Sequence, residues 1–196
     1  MTTLRCFIAI DLSPDVRQAL ASLTVRLRSR PGQESLRWVH ADSIHLTLEF
    51  LGDLPPNRVP DLAAMLDQVC TLQTPFRLRL GHLGCFPDAR RPRVLWVGLE
   101  EPTGSLARLQ TAIRTACVHL GLPVDERPFS PHLTLGRVRR EAGPEAADYA
   151  RRVLEGVEAG PAAEMTAETV HLYRSELRPT GAVYTRLHSA ALAATA

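Results

Sequence analysis

The tetrapeptide His45-Leu46-Thr47-Leu48 occurs a second time, unchanged, as His132-Leu133-Thr134-Leu135. Successive side chains on a strand point to opposite faces, so each copy sets a histidine and a threonine on one face and two leucines on the other. The leucines anchor the strand in a core, while an imidazole and a hydroxyl point together into the space on the other side. The copies stand nearly half the chain apart, each in a segment with strand character, IHLTLEF (44–50) and PHLTLGRV (131–138). Two such strands facing each other would surround one pocket with two imidazoles and two hydroxyls. A lone HLTL is an ordinary solvent-facing strand pattern, but an exact pair is not. The other five histidines (His40, His82, His119, His171, His188) share no such frame and read as surface or satisfied core residues.

The remaining segments predict strands and helices without a regular βαβ rhythm and without a glycine-rich phosphate loop. Residues 4–10 (LRCFIAI) form an apolar run that reads as a buried strand. Ser13-Pro14 then supplies an N-cap and a proline at the first helical position, opening a helix to about Arg30 that Pro31-Gly32 stops. Helices are also predicted over 59–70, from Leu106 to Leu120 with Gly121 closing it, and over 145–155. Strands are predicted over 76–80 and 94–99, with 169–177 and 182–190 as a closing pair across Pro179-Thr180-Gly181. Gly52 is expected to turn the chain after the first motif. This order fits an α+β protein of mainly antiparallel sheet.

Composition narrows the function classes. All 23 basic residues are arginine, against 21 acidic ones, for a net charge of +2. With no lysine and a single asparagine (Asn57), that arginine content reads as coding bias, and so small a net charge gives little steering toward a polyanion. The basic runs Arg90, Arg91, Arg93 and Arg137, Arg139, Arg140 are read first as solvated faces. The four cysteines (Cys6, Cys70, Cys85, Cys117) form no C-x-x-C pair and lie in apolar contexts, which predicts reduced core residues. At 196 residues a core needs no metal or disulfide staple. No apolar run approaches the roughly 18 residues of a membrane span, and the N-terminus lacks signal-peptide character, so a cytoplasmic location is expected.

Two histidines and two hydroxyls suit displacement at phosphorus. One neutral imidazole can take a proton from an attacking water while a protonated one gives a proton to the departing oxygen. The hydroxyls can donate to the non-bridging oxygens and stabilise their developing charge. As a metal site the set is poor, since zinc takes three or four Cys, His or carboxylate ligands. Glu49, two residues past Thr47, would share its face by simple alternation and could add a ligand, but the second copy has Gly136 there. Chemistry without a metal or other cofactor is therefore expected.

The paired H-x-T-x motifs, with FIAIDL, LGCFPDARRPRVLWVGL, RPFSPHLTLGR and LYRSELRPTGAVYTRL around them, resemble the two-histidine (2H) phosphoesterase superfamily, and within it the RNA 2′,3′-cyclic phosphodiesterases, also called 2′-5′ RNA ligases. The resemblance covers nearly all of residues 1–196. It implies one domain of two pseudo-symmetric lobes facing each other across a cleft, each giving one motif. It also implies hydrolysis of a 2′,3′-cyclic phosphate at an RNA end, tRNA fragments included, to a 2′-phosphomonoester. His45 would be proton donor, His132 proton acceptor, and Thr47 and Thr134 phosphate ligands, although the near-identical motifs do not themselves assign the roles. Arg137 would be a further phosphate ligand, but its parity puts it on the leucine face, so a bulge or strand end is required. Phe129 and Trp38 are candidates for base stacking, although core packing is the commoner fate of an aromatic beside a strand. A monomer without a membrane partner is expected. A nucleotide-binding module, a reversible 2′-5′ ligase and an RNA-associated scaffold stay open beside the hydrolase.

Overall fold

The computed structural model describes residues 2–125, 127–156, 163–178 and 181–193. The first strand, β1 (Leu4–Asp11), is buried on both faces, which is why its sequence runs apolar rather than alternating. Cys6, Ile8 and Ile10 enter the main core, whereas Phe7 and Ala9 pack with Tyr173 on the other side. Helix α1 (Pro14–Arg28) begins as expected, with the Ser13 hydroxyl accepting the Val16 N–H at 3.3 Å, and it buries Val16, Leu20, Leu23 and Leu27. It is followed by β2 (Leu36–Trp38), β3 (His45–Leu54), α2 (Val59–Cys70), β4 (Phe76–Phe86), β5 (Val94–Glu100) and α3 (Ser105–His119). The chain then forms β6 (His132–Val138), α4 (Glu145–Gly156), β7 (Glu164–Ala167), β8 (Thr169–Arg178) and β9 (Gly181–Ala191).

These strands build two antiparallel sheets, β3-β1-β8-β9 and β2-β6-β5-β4-β7. Each sheet holds one copy of the repeated motif, on β3 and β6, and those two strands lie against each other. Helices α2 and α3 cover the first sheet, while α1 and α4 pack against β7 and β4 of the second. The leucines of both motifs (Leu46, Leu48, Leu133, Leu135) belong to the same core cluster, at most 3% exposed. Burying those side chains holds the opposite face of each strand toward the space between the sheets.

The α+β, two-lobed architecture agrees with the sequence reading, with local differences. Strand β4 runs on to Phe86 through Gly81 and Gly84, past a register shift between Leu80 and Leu83. The short strands β2 and β7 carry too little alternation to be read from sequence. Gly52 does not end its strand: at φ +67° it sits within β3 beside a bulge, and pairing continues to Leu54. Helix α1 stops at Arg28, two residues early, before Gly32 at φ +93°. Strands β8 and β9 pair as expected, while Pro179 and Thr180 of their turn lie outside the described residues. Cys6, Cys70 and Cys117 are buried free thiols, and Cys85 is half-buried. No helix among the described residues is long and apolar enough to cross a membrane.

Candidate active site

Residues opposite each other on neighbouring strands share a face, so the pairing register locates the site. On β3, His45 stands opposite Asp11 and Thr47 opposite Ala9, but Ile8 pairs with Glu49, which leaves Leu48 as an extra residue. On β6, His132 stands opposite Gly98 and Thr134 opposite Trp96, but Leu95 pairs with Gly136, leaving Leu135 extra. Each motif therefore carries a bulge at its second leucine, which shifts the parity of the residues beyond it. The residue after each bulge, Glu49 or Gly136, turns to the core side. The next residue, Phe50 or Arg137, returns to the face of the histidine and threonine.

The two imidazoles are held alike. The Nδ1–H of His45 donates to the Ser43 carbonyl at 3.0 Å, and that of His132 to the Ser130 carbonyl at 2.7 Å. A carbonyl can only accept, so each bond fixes hydrogen on Nδ1 and leaves Nε2 free to exchange a proton on the cleft side. Among the described residues no protein group engages either Nε2 or the hydroxyls of Thr47 and Thr134. Burial pushes both imidazoles below their ordinary value of 6.5. Their other neighbours differ: the Asp11 carboxylate pulls His45 back up, whereas the Arg137 guanidinium pushes His132 further down.

Aromatic rings brace both histidines. His45 stacks on Phe7 at 4.7 Å and meets Tyr184 edge-on at 5.1 Å. His132 meets Phe86 edge-on at 4.9 Å, with Trp96 at 6.2 Å. Tyr184 joins the halves of the site. Its ring touches His45, and the charge of Arg137, which also acts on His132, lowers the phenol's burial-raised pKa. Two imidazoles, two free hydroxyls and one guanidinium thus stand on two strands that touch, linked through Tyr184 and the charge of Arg137, a set whose chemistry suits binding an oxyanion and moving protons on both sides of it.

The family model described as the 2′-5′ RNA ligase superfamily matches residues 12–179. This chain belongs to that superfamily. An RNA 2′,3′-cyclic phosphodiesterase of Methanothermobacter thermautotrophicus is 32% identical over 184 residues, covering 92% of this chain and 95% of that one. One of Thermus thermophilus is 35% identical over 195 residues, covering 96% of this chain and 90% of its own. A third, of Geobacillus stearothermophilus, is 33% identical, and the match spans only 53% of its length. Among solved structures, a protein of Thermus thermophilus superposes with a TM-score of 0.81 at 32% identity, over 98% of this chain and 100% of that one. LigT of E. coli, solved with 3′-AMP, gives 0.78 at 27% identity, over 97% and 99%.

In this member of the 2′-5′ RNA ligase superfamily the bulges decide which sequence candidates reach the cleft. They correct Glu49, which simple alternation sets beside Thr47. It is 2% exposed on the core side, accepting from Arg114 Nε at 2.9 Å, Gln110 Nε2 at 3.3 Å and the Asp125 N–H at 3.1 Å, so it is lost to any ligand set in the cleft. They also carry Arg137 to the face that alternation denied it. Trp38 packs against the core, the commoner fate for it: it stands opposite Gly136, its Nε1–H shared between the Gln33 backbone and side-chain oxygens at 3.2 Å. Phe129 packs against the core. The rings that do meet the histidines (Phe7, Tyr184, Phe86, Trp96) had no local signal beyond lying in apolar strands. His171 is satisfied, as expected, yet it lies in the cleft-side network: Nδ1 is bonded to Ser189 Oγ at 2.9 Å, and Nε2 is 3.7 Å from Asp11. Asp11 itself accepts from the Tyr173 hydroxyl at 2.8 Å and pairs with Arg186 at 2.6 Å.

Proposed function

We propose that this protein is an RNA 2′,3′-cyclic phosphodiesterase, opening the cyclic end to a 2′-phosphomonoester without a metal, and that residues 1–196 work as one domain of two lobes. The observation that carries this reading is the matched pair of imidazoles, each tied at Nδ1 to a carbonyl and each beside a free threonine hydroxyl. The naming of its relatives as RNA 2′,3′-cyclic phosphodiesterases supports the substrate class.

In this reaction water attacks phosphorus while its proton passes to Nε2 of His132. The bond from phosphorus to O3′ breaks, and the O3′ anion takes the proton of His45 Nε2, leaving a 3′-hydroxyl and a 2′-phosphate. The charges around the two rings favour this division. Asp11 supports a protonated His45, and Arg137 a neutral His132. Thr47, Thr134 and Arg137 donate to the non-bridging oxygens, where charge develops. With a 5′-hydroxyl terminus in place of the attacking water, its proton passing to His132 and O3′ again leaving with the proton of His45, the same groups form a 2′-5′ linkage.

The test is incubation with EDTA on a short RNA ending in a 2′,3′-cyclic phosphate, with His45→Ala/His132→Ala as control. A 2′-phosphate product that the control loses is expected. Binding of the RNA end without turnover would instead make the protein a nucleotide-binding module. Either single substitution should lower kcat at least ~10²-fold.

A further inference from the structure

Arg37 and Arg137 stand directly opposite each other on β2 and β6, both exposed. Since opposed residues share a face, Arg37 belongs to the side that carries His132 and Thr134. Like charges opposite one another destabilise a sheet unless an anion lies between them. Among the described residues neither arginine has a carboxylate partner, whereas surface arginines such as Arg77, Arg79 and Arg151 pair with Glu164, Glu100 and Asp148.

The backbone beneath Arg37 is fixed. Leu36 on one side is 3% exposed in the core, Trp38 on the other is tied to Gln33, and the ladder continues with the Val39 N–H donating to the Leu135 carbonyl at 2.8 Å. A three-residue strand so anchored holds its one outward side chain beside the phosphate ligand of the motif. Beyond it a cavity of about 580 Å³ opens along the free edge of β2. Arg28, Arg37 and Arg139 line it with a single acidic residue, Glu34, whose backbone carbonyl accepts from Arg139 Nε.

We propose that Arg37 binds the phosphate joining the last two nucleotides of the RNA substrate, and that the basic cavity beside it receives the chain upstream. This rests on the reading of the cleft as a site for a cyclic phosphate end. It makes the protein a reader of oligonucleotide ends rather than of free cyclic mononucleotides. Arg137 takes the reacting phosphate and Arg37 the next one along, and the pair of cations is stabilised by the two anions it spans.

The test compares adenosine 2′,3′-cyclic phosphate with the ApA dinucleotide bearing the same cyclic end, for the wild-type protein and for Arg37→Gln and Arg37→Lys. Removing one charge-assisted hydrogen bond in Arg37→Gln should raise the dinucleotide KM about tenfold more than the mononucleotide KM. Arg37→Lys should restore part of the difference, and in Arg37→Gln the salt dependence of dinucleotide binding should fall by about 0.7 in log–log slope. Equal effects on both substrates would assign Arg37 to the reacting phosphate and overturn the proposal, as would no effect on either. If the wild-type protein turns over neither substrate, the hydrolase reading fails. Anisotropy titration of labelled ApA bearing a 2′-phosphate, competed by 2′-AMP, still reads the Arg37 interaction: selective loss of dinucleotide affinity supports it, and parallel loss overturns it.

Discussion

The buried ion pair behind the first motif gives a sharp test of the fold. The Glu49 side chain is 1% exposed and that of Arg114 27%, at 2.9 Å, with Gln110 and the Asp125 N–H completing the carboxylate's shell. The pair is asymmetric, because Arg114 reaches solvent and Glu49 does not. Arg114→Met strands a carboxylate in the core with only neutral donors, a loss of about 4 kcal/mol. Glu49→Leu leaves a guanidinium that can turn toward water and one backbone N–H unpaired, about 3 kcal/mol. The double variant removes both charges together and should lose no more than about 2 kcal/mol, well short of additive. For a chain of this size, a loss of about 3 kcal/mol lowers Tm by roughly 6–12 °C. Urea unfolding of the wild-type, both single variants and the double variant measures the coupling directly. A loss below about 1 kcal/mol for Arg114→Met, or strict additivity, would refute the assignment of Glu49 to the core. Because Asp125 lies on the segment leading to Ser130 and His132, each single variant should also lower kcat.

Three further outcomes follow from the same geometry. A Cβ on Gly84 would overlap the Trp96 ring, so Gly84→Ala should push the indole off Phe86 and His132, shift tryptophan emission and cost at least ~10-fold in kcat. Unchanged emission would place Trp96 elsewhere. His45, His132 and His171 all have folded pKa values below 6.5 through burial, so the folded state binds fewer protons than the unfolded one. Their contribution to stability is complete above pH 6.5 and is lost as pH falls through the folded values. Tm should therefore decline on acidification below about 6.5, and less steeply in His45→Ala/His132→Ala, as calorimetry across roughly pH 5–8 would show. Finally, Asp11→Asn removes the charge that raises His45; with His45 as the proposed acid and His132 as the proposed base, the alkaline limb of kcat/KM should move to lower pH while the acid limb holds its place. Movement of both limbs together would mean that Asp11 acts through the fold at large.

Much of this was legible because apolar pattern and caps are local. LRCFIAI announced β1, Ser13-Pro14 announced α1, and two copies of HLTL announced two strands, each with its leucines in the core and a histidine and a threonine on the other face. What alternation alone could not deliver was parity after Leu48 and Leu135. A bulge is a relation between two strands, set by where Ile8 pairs with Glu49 and Leu95 with Gly136, and neither motif contains that information. Hence Glu49 looked like a neighbour of Thr47, and Arg137 looked misplaced. The side taken by Trp38 was not legible for a related reason: its face is chosen by pairing with Gly136, in a strand too short to show a period.

The same dependence on neighbouring strands gives two identical tetrapeptides different surroundings. His45 faces Asp11 across the ladder, and His132 faces Gly98. After the bulge, the first copy returns Phe50 to the cleft and the second returns Arg137. Each imidazole keeps the same carbonyl tether, so the tautomer is shared, while the surrounding charge differs along with the burial and the aromatic neighbours. In the proposed mechanism, a carboxylate near one ring and a guanidinium near the other would separate a proton donor from a proton acceptor without altering either motif. Removing those two charges, with Asp11→Asn and Arg137→Met, should narrow the gap between the two limbs of the pH profile from both sides. Losing the carboxylate lowers His45, and losing the guanidinium raises His132. A gap that stays constant in the double variant would show that burial alone sets both rings, and that the acid and base roles do not come from their neighbours.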